Sequence, residues 1–152
     1  DYFVDYQNFY TFCGVLSQRL LFVNVAKEML KIGDKERAVE MLDMCQECVP
    51  EANFPLDITY MGFSNEYMVA DMIETYYKAD QPEKALELAE RFSDQLFDSL
   101  YFFLQYYDFA KREFESCYNN LQYIAELAEH HGHKELSDSI NGRFESLMET
   151  AE

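Results

Sequence analysis

The sequence predicts an all-α fold of about six to eight helices, most of them paired into antiparallel hairpins. Two observations support this prediction. Apolar residues recur at intervals of three and four along most of the chain, which is typical of helices with one buried face. Gly and Pro, only 5 and 3 in number, fall almost entirely between these periodic segments, where helices stop. No run shows the two-residue alternation of a half-buried strand, so nothing favours a sheet.

The first hairpin is predicted over residues 17–50. Its first helix begins at Ser17, which can act as a cap, and stops near Gly33. Asp34 caps the second helix and Pro50 ends it. Because only Gly33 and Asp34 separate the two helices, the chain must fold back on itself here.

Two further hairpins follow, over residues 64–97 and 118–150. Their turns are predicted at Asp80 and at Gly132, which occupy the place that Gly33 has in the first hairpin. A length of 152 residues suits one domain with its own core, so residues 1–152 are predicted to form a single helical-repeat domain.

The hairpins match the tetratricopeptide pattern, a pair of helices in about 34 residues with small and large side chains at fixed positions. The match is closest in the first hairpin and fades toward the third. The predicted structural positions of the repeat are Phe22, Ala26, Gly33, Ala38, Pro50, Tyr76, Ala85, Phe92 and Gly132.

Two segments rich in Tyr and Phe lie outside the hairpins. Residues 98–116 carry aromatic side chains on all sides, which predicts a helix buried over most of its surface, either central or continuous with the third hairpin. Residues 2–12 are predicted to form a terminal helix over the first hairpin or, alternatively, an interface with missing parts of the same protein.

The charge of the chain excludes two classes of partner. With 29 acidic and 12 basic residues the net charge is −17, and no cluster of Lys and Arg offers a site for nucleic acid or an anionic membrane surface. The longest uncharged stretch, Tyr6–Gln18, is shorter than the roughly 20 residues of a membrane span. We therefore expect no nucleic acid and no direct membrane insertion. The chain lacks an initiator Met and a signal-type leader, so we expect a mature chain or a piece of a longer protein.

Catalytic, cofactor and metal sites are not expected. The sequence has no Gly-rich phosphate loop, no nucleophile elbow and no His base distant from its other histidines. Of the possible metal ligands, only Glu126 and His130 have helical ligand spacing, because the adjacent His131 points about 100° away. Cys45 and Cys48 are interpreted as two small buried hydrophobes on one helix face. The alternatives are a metal module at Glu126 and His130 and a carbohydrate-active enzyme that uses its carboxylates.

Stacked hairpins leave a concave face that commonly binds partners. The predicted binding residues on this face are Lys27, Lys31, Tyr67, Tyr77, Lys78, Asn119 and Gln122. Three lysines near two tyrosines favour a peptide carboxylate or an acidic segment as the ligand. Solvated lysines on amphipathic helices are the alternative.

Five segments of the chain carry a resemblance to a known family: residues 6–12, 22–26, 35–39, 53–57 and 60–63. They resemble the C-terminal tail of a family of bacterial multi-pass membrane proteins. That family was long described as a domain of unknown function and is similar to protein O-mannosyltransferases. The resemblance implies a parent protein that uses a lipid-linked sugar donor, with its catalytic acids in a membrane-embedded half, so none of them lies on this chain. It also implies that residues 53–57 and 60–63 contact the parent or its acceptor.

The function expected from these observations is a non-catalytic accessory or interaction domain of a membrane-bound, glycosyltransferase-like protein. Its partners would be the membrane-embedded half of the same polypeptide and a peptide or protein acceptor. The parent would lie in the bacterial inner membrane with this domain on the periplasmic side. The alternative is a free-standing helical-repeat module that binds protein.

Overall fold

The computed structural model describes residues 14–57, 59–60 and 63–150, so the predicted terminal helix over residues 2–12 lies outside the described part. The all-α prediction is confirmed, with six helices among these residues. The helices are α1 (Val15–Lys31), α2 (Lys35–Cys48), α3 (Asn65–Lys78), α4 (Pro82–Gln105), α5 (Tyr107–His130) and α6 (Lys134–Thr150). Two-residue strands, β1 (Thr59–Tyr60) and β2 (Phe63–Ser64), pair antiparallel ahead of α3. None of the described helices combines the length and apolarity needed to cross a bilayer.

The chain forms two compact units, Asp1–Gln81 and Pro82–Glu152. The boundary falls inside the hairpin predicted over residues 64–97, whose two helices therefore belong to different units. The hairpins predicted over residues 17–50 and 118–150 each lie within one unit. The tetratricopeptide arrangement stays a prediction.

In the first unit, α1 packs against both α2 and α3. Its core contains Val23, Leu42, Val69 and Ile73 and receives the loop after α2, where Phe54 and Leu56 are 3% and 4% exposed. The side chain of Arg19, itself 2% exposed, donates hydrogen bonds to the backbone oxygens of three residues in and before this loop. These acceptors are Val49, Phe54 and Pro55. Part of the segment that the resemblance assigned to partner contact is thus built into the core.

Three helix ends share one turn geometry. After α1, the Gly33 and Asp34 N–H groups donate back to Leu30 and Met29, which is a Schellman turn with its left-handed residue at Gly33 (φ 83°). The same pair of bonds closes α5, with Gly132 at φ 86°. It also closes α3, where the left-handed residue is Asp80 at φ 59°. The three turns predicted from the sequence are therefore equivalent in backbone structure.

In the second unit, α5 packs along both α4 and α6. Its core contains Leu88, Phe92, Phe97, Leu121, Ile124 and Ile140. Only Tyr106 separates α4 from α5, and Ala110 leaves helical geometry (φ −119°, ψ 25°) one turn later. These two long helices therefore fold back on each other through a very short connection.

The aromatic segment at this connection differs from the prediction. It forms the end of α4 and the start of α5, so of the two predicted alternatives the continuation into the third hairpin is found for residues 107–116 and the central helix is not. Five of its side chains are exposed by 40–93%, Phe109 most of all. We call this group the aromatic turn; it consists of Tyr101, Phe102, Tyr106, Tyr107 and Phe109. The prediction of burial was wrong because these residues lie beyond the end of the packed helix bundle, where no further layer among the described residues covers them.

Candidate functional site

The first unit contains a cleft lined by four lysines. Side chains at intervals of three and four on α1 meet side chains four apart on α3, so one face of each helix borders the cleft. The cleft has a volume of about 590 Å³. We call it the lysine cleft; its lining residues are Asn24, Lys27, Glu28, Leu30, Lys31, Lys35, Glu74 and Lys78.

The structure brings the three predicted binding lysines together. Lys27, Lys31 and Lys78 all line the lysine cleft, with their side chains 34%, 69% and 58% exposed. The fourth, Lys35, was missed because it opens α2, which is the second helix of its hairpin and was not assigned to the binding face. Its only sequence signal is its position directly after the cap residue Asp34.

Each of these ammonium groups already has a carboxylate partner. Lys27 Nζ lies 2.6 Å from Asp71 and thereby links α1 to α3, while Lys35 Nζ lies 2.5 Å from Asp80. The other two pairs lie within single helices: Lys31 with Glu28 at 2.6 Å, and Lys78 with Glu74 at 2.8 Å. Exposed ion pairs contribute only about 0.2–1 kcal/mol each, so a ligand carboxylate can exchange with them at little cost.

Tyr77, Asn119 and Gln122 are not among the lining residues of the lysine cleft. Tyr77 is 5% exposed, so its ring belongs to the core, and burial raises the pKa of its hydroxyl to about 12. Tyr67 lies in α3, and its side chain is outside the described part of the structure. Asn119 and Gln122 are exposed on α5 of the second unit, where Gln122 donates to the Tyr118 hydroxyl at 2.8 Å.

The predicted repeat positions are mostly core or turn residues. Five are fully buried: Ala26, Ala38, Tyr76, Ala85 and Phe92. Phe22 and Pro50 are half-buried, and Gly33 and Gly132 occupy the turns described above. Tyr76 also makes a buried polar contact between α3 and α2, donating to Asp43 and accepting from Gln46, both at 2.8 Å.

Cys45 and Cys48 are not joined in a disulfide in the described structure. Burial raises the pKa of the Cys45 thiol to about 11, which makes it a poor nucleophile at neutral pH. Cys48 is exposed, so the prediction that both were buried is wrong for this residue, which lies at the end of α2.

The potential metal ligands among the described residues form no cluster of three. No group of three or more His, Cys, Asp and Glu side chains in the described ranges could hold a metal ion. The rings of His130 and His131 meet edge to face, with centroids 5.1 Å apart.

Comparisons with protein-family models, curated proteins and solved structures find no match to this chain.

Proposed function

We propose that the chain is a non-catalytic interaction module that binds a carboxylate-bearing peptide segment in the lysine cleft. One observation carries the proposal: four of the seven lysines in a chain of net charge −17 line a single cleft. Lysine ammonium groups are mobile donors that suit carboxylates on a flexible peptide.

The grouping of cations in the cleft supports an anionic ligand despite the acidity of the chain. Among the described residues, its four lysines are balanced by their four carboxylate partners, so the cleft is locally neutral in a chain of net charge −17. At physiological ionic strength exposed charges are screened beyond about 8 Å, so a bound peptide is influenced mainly by the cleft itself. The other acidic residues of the chain repel an anionic peptide weakly at long range, which slows its association.

The biological context follows from the sequence resemblance. In this proposal the chain serves a membrane-bound, glycosyltransferase-like parent by docking its acceptor or by binding its membrane-embedded half, on the periplasmic side. Translation of the coding region upstream of Asp1 tests this part alone. Several apolar spans of about 20 residues would support it, whereas an upstream region without them would leave a free-standing binding module.

The binding test uses charge reversal in the lysine cleft. A fluorescently labelled penta-glutamate peptide is titrated with the protein, and anisotropy is followed at about 0.15 M salt. We expect Lys27→Glu with Lys78→Glu to weaken binding at least about tenfold, equivalent to about 1.4 kcal/mol. The matched control, Lys111→Glu with Lys134→Glu, changes the net charge equally but lies in the second unit, on exposed positions.

The peptide affinity of the control variant should fall less than about threefold, since its substitutions change only the long-range electrostatic field. Equal losses in the two double variants would show diffuse attraction and contradict the proposal. So would a wild-type protein that fails to bind the peptide, or a cleft variant that binds normally. Circular dichroism of both variants checks that each remains folded.

A further inference from the structure

A second cavity, in the second unit, has a negatively charged lining. It lies between α4 and α6 and has a volume of about 310 Å³. Three carboxylates line it: Glu90 and Asp94 from α4, and Glu135 from the first turn of α6. Arg143 is the one cation among its described lining residues, which together carry a net charge of −2. We call it the acidic cavity.

Two of its carboxylates have no ionic partner among the described residues. Arg143 is engaged by Asp94, at 2.6 Å, and its guanidinium lies 3.8 Å from the centroid of the Phe97 ring. Glu90 and Glu135 are left exposed on either side of the cavity. Both carboxylates are therefore available to a cation that enters the cavity.

A buried hydroxyl provides an independent indication of a ligand. Ser93 lines the acidic cavity and is 2% exposed, yet its Oγ has no hydrogen-bond partner in the described structure. An unsatisfied buried polar group costs about 1–3 kcal/mol, so native proteins seldom keep one without a reason. A ligand N–H group that reaches Ser93 would remove this cost.

The shape and lining of the cavity favour an organic cation over a metal ion. The described side chains include no set of three ligands close enough to hold a metal. Leu136 and Ile140 add apolar surface to the lining, which suits methylene groups rather than a hydrated ion. A volume of about 310 Å³ is at the lower end of the range for small-molecule sites, about 300–1,000 Å³.

We propose that the acidic cavity binds a linear aliphatic polyamine. Its ammonium groups pair with Glu90 and Glu135, its methylene chain lies on Leu136 and Ile140, and an N–H group donates to Ser93 Oγ. The site is separate from the lysine cleft and binds a ligand of opposite charge, so it does not depend on the peptide-binding proposal.

The test is calorimetric titration of the whole chain with spermidine at about 0.15 M salt, where diffuse attraction to an acidic protein is weak. We expect Glu90→Gln with Glu135→Gln to weaken binding at least tenfold. The control, Glu126→Gln with Glu129→Gln, removes two exposed charges from α5 of the same unit and should change affinity less than twofold. Butylamine, with one ammonium group, should bind at least tenfold more weakly than spermidine.

Ser93→Ala gives a second readout, which a diffuse charge effect would not produce. It should lower spermidine affinity severalfold and raise the thermal midpoint of the ligand-free protein, because it removes an unsatisfied hydroxyl. Equal losses in the two glutamine variants, unchanged affinity in the cavity variant, or absence of spermidine binding by the wild type would each overturn the proposal.

Discussion

Replacing Arg19 by Met should detach the loop after α2 from the core of the first unit. The guanidinium donates to Phe54 O at 2.5 Å and to Pro55 O at 3.1 Å, while the 3.4 Å contact with Val49 O is too long to contribute much. A hydrogen bond that involves a charged group contributes about 1.5–3 kcal/mol. Loss of two such bonds should cost at least about 3 kcal/mol. Because the substitution also removes the cost of burying the guanidinium charge, we do not expect a loss far above this value.

The assay is equilibrium urea unfolding followed by circular dichroism, with Arg37→Met as the matched control. Arg37 lies in the same unit with its side chain 67% exposed, 3.5 Å from Asp34. We expect the Arg19 variant to lose about 3 kcal/mol in free energy of unfolding and the control less than about 0.5 kcal/mol. Chymotrypsin should also cleave after Leu56 faster in the Arg19 variant, because the buried loop is released.

A loss below about 1 kcal/mol for Arg19→Met would refute the reasoning. It would mean that the loop carbonyls find water or other donors at no cost and that Phe54 and Leu56 hold the loop by apolar burial alone. Unchanged cleavage after Leu56 would contradict the loop assignment even if stability fell.

Two further predictions concern buried groups of the first unit. Tyr76→Phe should lower the free energy of unfolding in urea by about 1–2 kcal/mol, because it leaves Asp43 without the hydroxyl donor at 2.8 Å. The control Tyr118→Phe loses only an exposed hydrogen bond and should lower it by less than about 0.5 kcal/mol. Equal losses in the two variants would contradict this prediction. Because burial raises the pKa of Cys45 from 9.0 to about 11, the unfolded chain loses a proton in this range that the folded protein keeps, and stability falls as pH rises through it. As pH rises from about 8 to 10.5, the free energy of unfolding of Cys45→Ala should therefore fall by about 1–2 kcal/mol less than that of the wild type. An identical fall in both proteins would show that this thiol is not the cause.

The three turns could be predicted because their signals are local, whereas α4 and α5 extend well beyond the predicted bounds, to Gln105 and back to Tyr107. Asp34 shows this: its side chain accepts from the Arg37 N–H at 3.1 Å, as a cap residue should. Asp80 shows it less obviously, since an aspartate occupies a left-handed position that usually requires Gly, yet its place in the sequence pattern predicted the turn.

Contacts between residues far apart in sequence could not be predicted in the same way. Nothing near Arg19 in sequence indicates that it reaches the carbonyl of Phe54, and nothing near Lys35 indicates its pairing with Asp80. The lysine cleft was predicted in part because Lys27 and Lys31 share a face of one helix, so periodicity alone placed them together. The acidic cavity was missed because its acids come from two helices about 45 residues apart in the sequence, in a chain where acids are common.

The aromatic turn has a consequence for how the protein behaves at high concentration. Exposed rings such as Phe109 and Phe102, 93% and 56% exposed, adhere to one another when molecules approach closely. The charge of −17 opposes such an approach, and this repulsion is colloidal: it weakens as salt shortens its range or as acid neutralises the carboxylates. Repulsion between the many carboxylates thus opposes self-association of the protein. Concentrated salt and mildly acidic buffers weaken this repulsion, so they are the conditions under which the protein should precipitate.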